Sequence, residues 1–345
     1  MPPFSRILRY SRRTICALTV AAGVCASAPV TADENSAHCQ GRDMLAEMQA
    51  DKPELYEKVM AGGRQISNTE AMLWKIEKPG MGTSYLFGTM HLSDPRISNL
   101  SPATRDAIAQ SKSVALEVAD LSSEAVAAAM TKAAKLIVYT NGQSLKRQLS
   151  DDDYDKVQQI VMKSGMPGEF AGMTKPWLVS MLLATSDCER QQIAAGKAVL
   201  DLQVATEAQK NGITVTGLET IDSQIAALAS IADDQQLAIL KVELDYIDRA
   251  DDMMETMVQM YTKRQIGAAM PFQLALAEQS GAPASTFDGF KKALLTDRNL
   301  KMHDAALPLL EKGQAFIAVG ALHLPGPDGL VALLRQSGYT VTPVE

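Results

Sequence analysis

The sequence is poor in cysteine, histidine and aromatic residues, and it has no excess of positive charge. Its 345 residues include four cysteines, four histidines and 5% aromatic residues, and acidic residues outnumber basic ones by 40 to 33. An acidic chain without a basic patch argues against binding to nucleic acid or to an anionic membrane surface. Few aromatic residues give little support to a sugar site, which usually has aromatic platforms.

Several hydrolase signatures are also absent. The chain has no His-Glu-x-x-His helix, no Gly-x-Ser-x-Gly turn and no glycine-rich phosphate loop that ends in Lys-Ser/Thr. If the protein is a hydrolase, it uses none of those chemistries. Beyond the N-terminal segment no run approaches the roughly 18 apolar residues of a membrane span, so we expect no integral span in the mature chain.

The first 32 residues have the order of a secretory signal peptide. Four arginines and no acidic residue precede an apolar stretch from Ile15 to about Ala28, and small residues precede Asp33. This pattern predicts cleavage after residue 32 and export of residues 33–345 to the periplasm or the medium. An uncleaved N-terminal anchor is the alternative.

Two cysteines, Cys39 and Cys188, would remain after cleavage. In an oxidising compartment an isolated pair of cysteines is most simply a disulfide. A metal or redox site that includes His38 and Cys39 is the alternative.

The apolar patterns predict an α/β protein. Strands are expected at 72–77, 84–87, 114–118, 213–219, 315–319 and 339–343. Helices are expected over most of the range from about 120 to 285, including one long amphipathic helix over 235–263. Strands on both sides of a helical middle indicate a single domain over 33–345, with a mixed sheet core and a large helical insertion.

Two distant segments share one pattern: an apolar strand, a glycine, two residues, a histidine and a leucine. They are Tyr85-Leu86-Phe87-Gly88-Thr89-Met90-His91-Leu92 and Ile317-Ala318-Val319-Gly320-Ala321-Leu322-His323-Leu324. We expect Gly88 and Gly320 to let the backbone turn, so that His91 and His323 lie at the carboxyl ends of two strands, where open α/β sheets bind ligands. The sequence therefore predicts a sheet built from two related strand–Gly-x-x-His halves with one shared site. Separate surface histidines are the alternative.

Two carboxylates and one cation accompany the histidines. Glu117 and Glu219 lie at the ends of apolar segments, where an ionised carboxylate is costly unless it is paired or bound to a cation. A glutamate that points to water is the alternative for each. Arg298 and Asn299 could bind an anion or lie on a solvated turn of helix, and His303 is expected on such a turn.

The order and spacing of these residues resemble the TraB/PrgY/GumN family. The resemblance rests on both Gly-x-x-His segments, on Leu116-Glu117, on Gly217-Leu218-Glu219-Thr220 and on Arg298-Asn299, and it extends over about 73–344. The family belongs to a wider group that includes the Tiki proteases and, more distantly, ChaN-like and erythromycin-esterase-like proteins. The segments are most similar to its exported GumN-like branch, whose cysteine pair Cys39 and Cys188 also resemble.

The resemblance implies a metal-dependent peptidase of the Tiki type that acts on an extracytoplasmic peptide or protein. His91, His323 and Glu117 would bind the metal, and two imidazoles with one carboxylate suit a divalent first-row metal such as manganese, cobalt or zinc. Glu117, Glu219 and Arg298 would be the catalytic or supporting residues, with Asn299 as a weaker addition.

Other functions fit the same residues. A metal-free hydrolase would use a histidine or glutamate as general base and Arg298 to stabilise an oxyanion. A non-catalytic periplasmic protein that binds peptides or signals would keep the pocket without turnover. An accessory protein for exported polysaccharide is a third alternative.

Overall fold

A six-stranded mixed sheet forms the centre of the protein. The computed structural model describes residues 39–120 and 122–345, so the signal peptide predicted over 1–32 lies outside the described residues. The strands are β1 (Leu73–Glu77), β2 (Ser84–Thr89), β3 (Ser113–Leu116), β4 (Thr214–Gly217), β5 (Ala315–Gly320) and β6 (Thr340–Pro343). Their order is β4-β3-β5-β2-β1-β6. The neighbouring strands β4, β3, β5 and β2 are parallel, whereas β1 is antiparallel to β2 and to β6.

Helices surround the sheet. In the described residues the α-helices are α1 (Met44–Asp51), α2 (Pro53–Arg64), α3 (Pro95–Ser98), α4 (Pro102–Ala109), α5 (Ser123–Lys132), α6 (Ala134–Ile137), α7 (Asp151–Lys163), α8 (Pro176–Leu183), α9 (Asp187–Ala194), α10 (Leu200–Lys210), α11 (Ile221–Ala229), α12 (Asp233–Asp245), α13 (Ala250–Thr262), α14 (Ala269–Gln279), α15 (Asp288–Phe290), α16 (Asp297–Lys312) and α17 (Leu330–Gln336). A π-helical segment at Lys291–Thr296 joins α15 to α16.

Helices cover both faces of the sheet. Alternate strand residues point to opposite faces, so each strand contributes side chains to two cores. Phe87 and Phe316 face a core formed with α1, α2, α4, α10, α13 and α14. Trp74 and Ile317 face a second core formed with α16 and α17. Burial on both sides explains why β5 is an uninterrupted apolar run, as is usual for a central parallel strand.

The mixed sheet and its helices confirm the predicted α/β class, but one predicted helix is wrong. The helix expected over 235–263 is interrupted: α12 ends at Asp245, a 3-10 turn spans Ile247–Arg249, and α13 begins at Ala250. Leu240 of α12 packs in a separate helical core, whereas Val258 of α13 packs against the sheet. One straight helix could not bury its apolar side in both cores, so tertiary packing overrides the periodicity.

A disulfide joins Cys39 and Cys188, as expected for an isolated pair, with a Cα–Cα distance of 5.8 Å. It connects the segment before α1 to α9. His38, from the alternative metal site, lies outside the described residues. In the part of the chain that the structure describes, every helix is too short or too polar to cross a bilayer. The single-domain boundary at 33–345 and the relation between the two halves stay predictions.

Candidate functional site

The parallel strands bring the predicted residues to one edge of the sheet. His91 follows β2, Glu117 comes directly after β3, Glu219 lies two residues beyond β4, and His323 lies three residues beyond β5. These four strands are neighbours, and the carboxyl ends of parallel strands meet at the same edge. Ligands of open α/β sheets bind at such an edge.

A buried ion-pair cluster lies at this edge. Arg298, near the start of α16, places Nη2 2.6 Å from Glu117 Oε2 and 2.8 Å from Glu219 Oε2. The side chains of Arg298, Glu117 and Glu219 are 12%, 7% and 3% exposed. Gln224 donates a further hydrogen bond of 3.1 Å to Glu117 Oε2. One guanidinium therefore bridges the two buried carboxyl groups.

The second oxygen of Glu117 faces the two Gly-x-x-His turns. Glu117 Oε1 accepts a hydrogen bond of 2.6 Å from the Gly320 N–H and lies 3.5 Å from His323 Nε2. Burial by itself raises the pKa of Glu117. The attraction of His323 when it is protonated, the positive charges of Arg298 and His91 and the hydrogen bond from the Gly320 N–H outweigh burial and lower this pKa to about 2. Glu117 is therefore ionised at neutral pH although it is buried.

His323 is buried and neutral. Its Nδ1 lies 2.7 Å from Asn299 Oδ1, and Asn299 Nδ2 donates a hydrogen bond of 2.8 Å to the carbonyl oxygen of Asp328. Because that bond directs the amide nitrogen away from His323, the imidazole carries its proton on Nδ1 and leaves Nε2 as an acceptor. Burial is the main cause that lowers the pKa of His323 to about 4.

His91 is exposed and protonated. Its side chain is 64% exposed, and its Nδ1 lies 2.7 Å from Asp201 Oδ2. The other oxygen of Asp201 accepts a hydrogen bond of 2.6 Å from the Thr89 hydroxyl. Desolvation by neighbouring atoms lowers the pKa of His91, but the hydrogen bond and negative charge of Asp201 outweigh it and raise this pKa to about 9.

Gly320 marks the point where these groups converge. A methyl group on Gly320 would lie 3.2 Å from Glu117 Oε1, 3.5 Å from His323 Cδ2 and 3.9 Å from His91 Nε2. A methyl group on Gly88 would lie 2.7 Å from Leu324 Cδ1 and 3.1 Å from Ala321 Cα. Neither glycine has a positive φ, so the change of direction after each strand does not depend on a backbone conformation that favours glycine. Close approach of neighbouring atoms requires both glycines instead.

Three contributors were not identified from the sequence. Asp201 lies in the first turn of α10, where an acidic residue is usually explained by the helix dipole. Gln224 lies on α11 and carries no motif. Thr89 was inside the Gly-x-x-His segment, and its small hydroxyl next to the histidine was the one available signal.

His303 differs from its expected place on a solvated turn. Its side chain is 13% exposed, and its Nε2 lies 2.8 Å from the Ser337 hydroxyl. Its hydrogen-bond partners, Ser337 and Asp304, are not residues of the edge cluster. Packing of α16 against α17 buries it, and the helical pattern alone does not reveal which neighbour covers a given turn.

The possible metal-ligand atoms at the sheet edge do not form a close cluster. Among the described residues, the one set of three donor atoms that all lie within 4.8 Å of one another belongs to Cys39, Cys188 and Asp251. Both sulfurs of that set are in the disulfide and cannot ligate a metal as thiolates. The chemically suitable set of His91, His323 and Glu117 is more widely spaced.

Comparison with known proteins finds distant relatives of this chain. The uncharacterised protein YbaP of Shigella flexneri is 24% identical over 260 residues, which cover 75% of this chain and 90% of YbaP. Metalloprotease TIKI2 of Danio rerio is 24% identical over 318 residues, 79% of this chain and 60% of TIKI2. A metalloprotease TIKI homolog of Nematostella vectensis is 22% identical over 321 residues, 79% of this chain and 67% of the homolog.

The chain thus spans 60% of the length of the Danio rerio metalloprotease that it matches. No solved structure matches it. The sequence profile of the TraB/PrgY/gumN family matches residues 72–343, a range that contains all six strands and both Gly-x-x-His turns. Because this match covers most of the chain, the protein belongs to the TraB/PrgY/gumN family.

Proposed function

We propose that this protein is an exported metal-dependent hydrolase, a peptidase that acts on an extracytoplasmic peptide or protein. The observation that carries the proposal is the pair of imidazoles at one sheet edge. Asp201 and Asn299 hold the Nδ1 atoms of His91 and His323, which leaves both Nε2 atoms available beside Glu117. Relatives named as metalloproteases support the same reaction class.

The chemistry of the donor set fits a divalent metal. Histidine ligands usually have the second ring nitrogen held by a carboxylate or an amide oxygen, as both do here. Glu219 Oε1 is buried and has no hydrogen-bond partner among the described residues. His91, His323 and Glu117 would have to come closer together to bind one ion. The exposed side chain of His91 is the group that can move. Manganese, cobalt or zinc would supply Lewis acidity and a nucleophile near neutral pH.

The protein's own residues have separate roles in this proposal. Glu117 stays ionised, so it can bind the metal or accept a proton from the attacking water. Arg298 uses Nη2 and Nε for the two glutamates, which makes it a positioning residue for Glu117 rather than a group that faces substrate. His91 needs a neutral Nε2 to bind a metal, so binding would release its proton.

Export belongs to the same proposal. The disulfide between Cys39 and Cys188 is the kind that persists in an oxidising compartment. The basic and apolar N-terminal pattern points to the same route. We expect the mature protein in the periplasm or medium to begin at Asp33, and its intact mass would show this.

The test is the metal content of the mature protein, produced without a histidine tag. We expect nearly one metal ion per chain by mass spectrometry in the parent, and its loss in His91→Ala and in His323→Ala. His303→Ala is the matched control, because that histidine bonds outside the cluster. Peptide-library cleavage with manganese, cobalt or zinc should follow the metal content.

Two results would replace this proposal. A parent that stays metal-free after reloading and still cleaves peptides would be a metal-free hydrolase with a His or Glu base. A parent that binds peptides after chelation, without His91 and without turnover, would be a periplasmic binding protein.

A further inference from the structure

An apolar cavity borders the loop that carries His323. Its volume is about 320 Å³, and its walls include Ile66, Ile266, Met270, Leu274, Phe287 and Leu322. Its charged lining residues Asp288, Lys291 and Asp328 are exposed and therefore lie at its mouth. The size is at the lower end of small-molecule sites, which begin at roughly 300 Å³.

The cavity and the candidate site share a wall. Asn299 is 2% exposed, lines the cavity and holds the Nδ1 of His323 at 2.7 Å. Leu322, the residue before His323, lines the cavity as well. A group inside the cavity is therefore separated from the His323 imidazole by a single side chain.

The chemistry of the walls selects an uncharged occupant. The one buried polar side chain in the lining is Asn299, and both ends of its amide are already hydrogen-bonded. A charged group pushed past the mouth would lose its hydration without gaining a partner, which is costly. An apolar side chain would gain from leaving water.

A second cavity at the same sheet edge has a mixed lining. Its charged lining residues are Glu219, Asp120, Asp222 and Lys132, its apolar ones include Val118, Ala129 and Ile221, and its volume is about 500 Å³. It borders the ends of β3 and β4, whereas the apolar cavity borders the loop after β5.

We propose that the apolar cavity binds a large apolar side chain of the peptide substrate, such as leucine, methionine or phenylalanine, beside the bond that is cleaved. This inference rests on the proposed peptidase function and adds the substrate class. Selectivity arises from the apolar lining, which includes Leu274 and Ile66, and a larger side chain at either position would fill the cavity.

The experiment uses peptides that differ at one residue, which is phenylalanine, leucine, alanine or aspartate. Cleavage is measured as kcat/KM, and binding is measured separately by fluorescence anisotropy on chelated protein. We expect phenylalanine and leucine to be favoured over aspartate by roughly tenfold or more in both measurements. Leu274→Trp should remove this preference, so that its values for the phenylalanine, leucine and alanine peptides lie within roughly twofold of one another.

Two further variants guard against misfolding and general effects. Ile66→Trp narrows the cavity from another wall and should act like Leu274→Trp. Met162→Trp, on a helix surface where Met162 is 53% exposed, is the matched control and should leave the preference unchanged. Thermal unfolding checks that each variant is folded.

The outcomes separate this inference from the proposed function. Cleavage without an apolar preference, or with a preference that both tryptophan variants retain, overturns the cavity assignment and leaves the peptidase proposal intact. An apolar binding preference that the variants abolish, without cleavage of any peptide, supports the cavity and overturns the peptidase proposal. Absence of any apolar preference in binding overturns the cavity assignment whether or not cleavage occurs.

Discussion

The two histidines of the Gly-x-x-His turns differ in exposure, partner and charge. His91 is 64% exposed, bonds to the carboxylate of Asp201 and has its pKa raised to about 9. His323 is 5% exposed, bonds to the amide of Asn299 and has its pKa lowered to about 4. At neutral pH one imidazole is a cation and the other is neutral.

The difference teaches that the motif places an imidazole but does not set its charge. Both histidines leave the carboxyl end of a parallel strand, and β2 and β5 are direct neighbours. The partner on Nδ1 comes from a distant helix in each case, α10 for His91 and α16 for His323. A carboxylate stabilises the imidazolium, whereas an amide oxygen in a buried place does not.

The largest loss of stability should come from substitution of Arg298, which lies on α16 next to Asn299, the partner of His323. Arg298→Met leaves Glu117 and Glu219 buried without a cation, and we expect a loss of about 3–5 kcal/mol in the free energy of unfolding. Chemical denaturation measures it. The double variant with Glu219→Gln should recover part of the loss. Lys292→Met, which removes an exposed pair with Asp297, is the control and should cost at most about 1 kcal/mol; equal losses would contradict a buried cluster.

Stability against pH should have opposite signs for the two histidines. His323 has a lowered pKa, so its contribution is present above pH 6.5 and is lost as the pH falls toward 4, by at most about 3 kcal/mol. His91 has a raised pKa, so its contribution is present below pH 6.5 and is lost as the pH rises through 9.

Denaturation of metal-free protein across pH 4–10 would show this difference. His323→Gln should flatten the acidic limb, and His91→Gln should flatten the alkaline limb. The effect of His91→Gln on the free energy of unfolding should be the smaller one, because the side chain of His91 is exposed. The same limb flattened by both variants would contradict the opposite charge states.

The two glycines should separate stability from function. Gly88→Ala places a methyl group against Leu324 and the backbone of Ala321, and we expect a loss of about 1–3 kcal/mol in unfolding free energy. Gly320→Ala points its methyl group at Glu117 and His323, so it should cost about 1 kcal/mol or less and abolish metal binding. Denaturation and metal analysis of both variants test this, and a metal-loaded Gly320→Ala protein would show that the site lies elsewhere.

The smallest effect on the protein should come from substitution of the residues that bond to the two histidines, Asp201 and Asn299. Asp201→Asn should lower the pKa of His91 below its present value of about 9, and Asn299→Asp should raise the pKa of His323 above about 4. Proton NMR titration of the imidazole carbons in metal-free protein measures both. Unchanged midpoints would mean that exposure, and not the partner, sets the charge.

Much of the fold follows from local patterns in the sequence. The strands around Leu86 and Ile317 are apolar and short, and their periodicity is enough to predict them. The strand ends were less well predicted, because Glu117 lies one residue beyond β3 rather than inside it. The break between α12 and α13 could not be predicted, since it depends on which core each helix faces.

The sequence by itself determined the α/β class, the two Gly-x-x-His segments, the isolated cysteine pair and the resemblance that named the family. Only the tertiary structure decided that Asp201 holds His91, that Arg298 bridges Glu117 and Glu219, and that an apolar cavity borders Asn299. The physical reason is that hydrogen bonding and charge act through space. His91 and Asp201 are 110 residues apart in the chain, and nothing local records that their side chains meet.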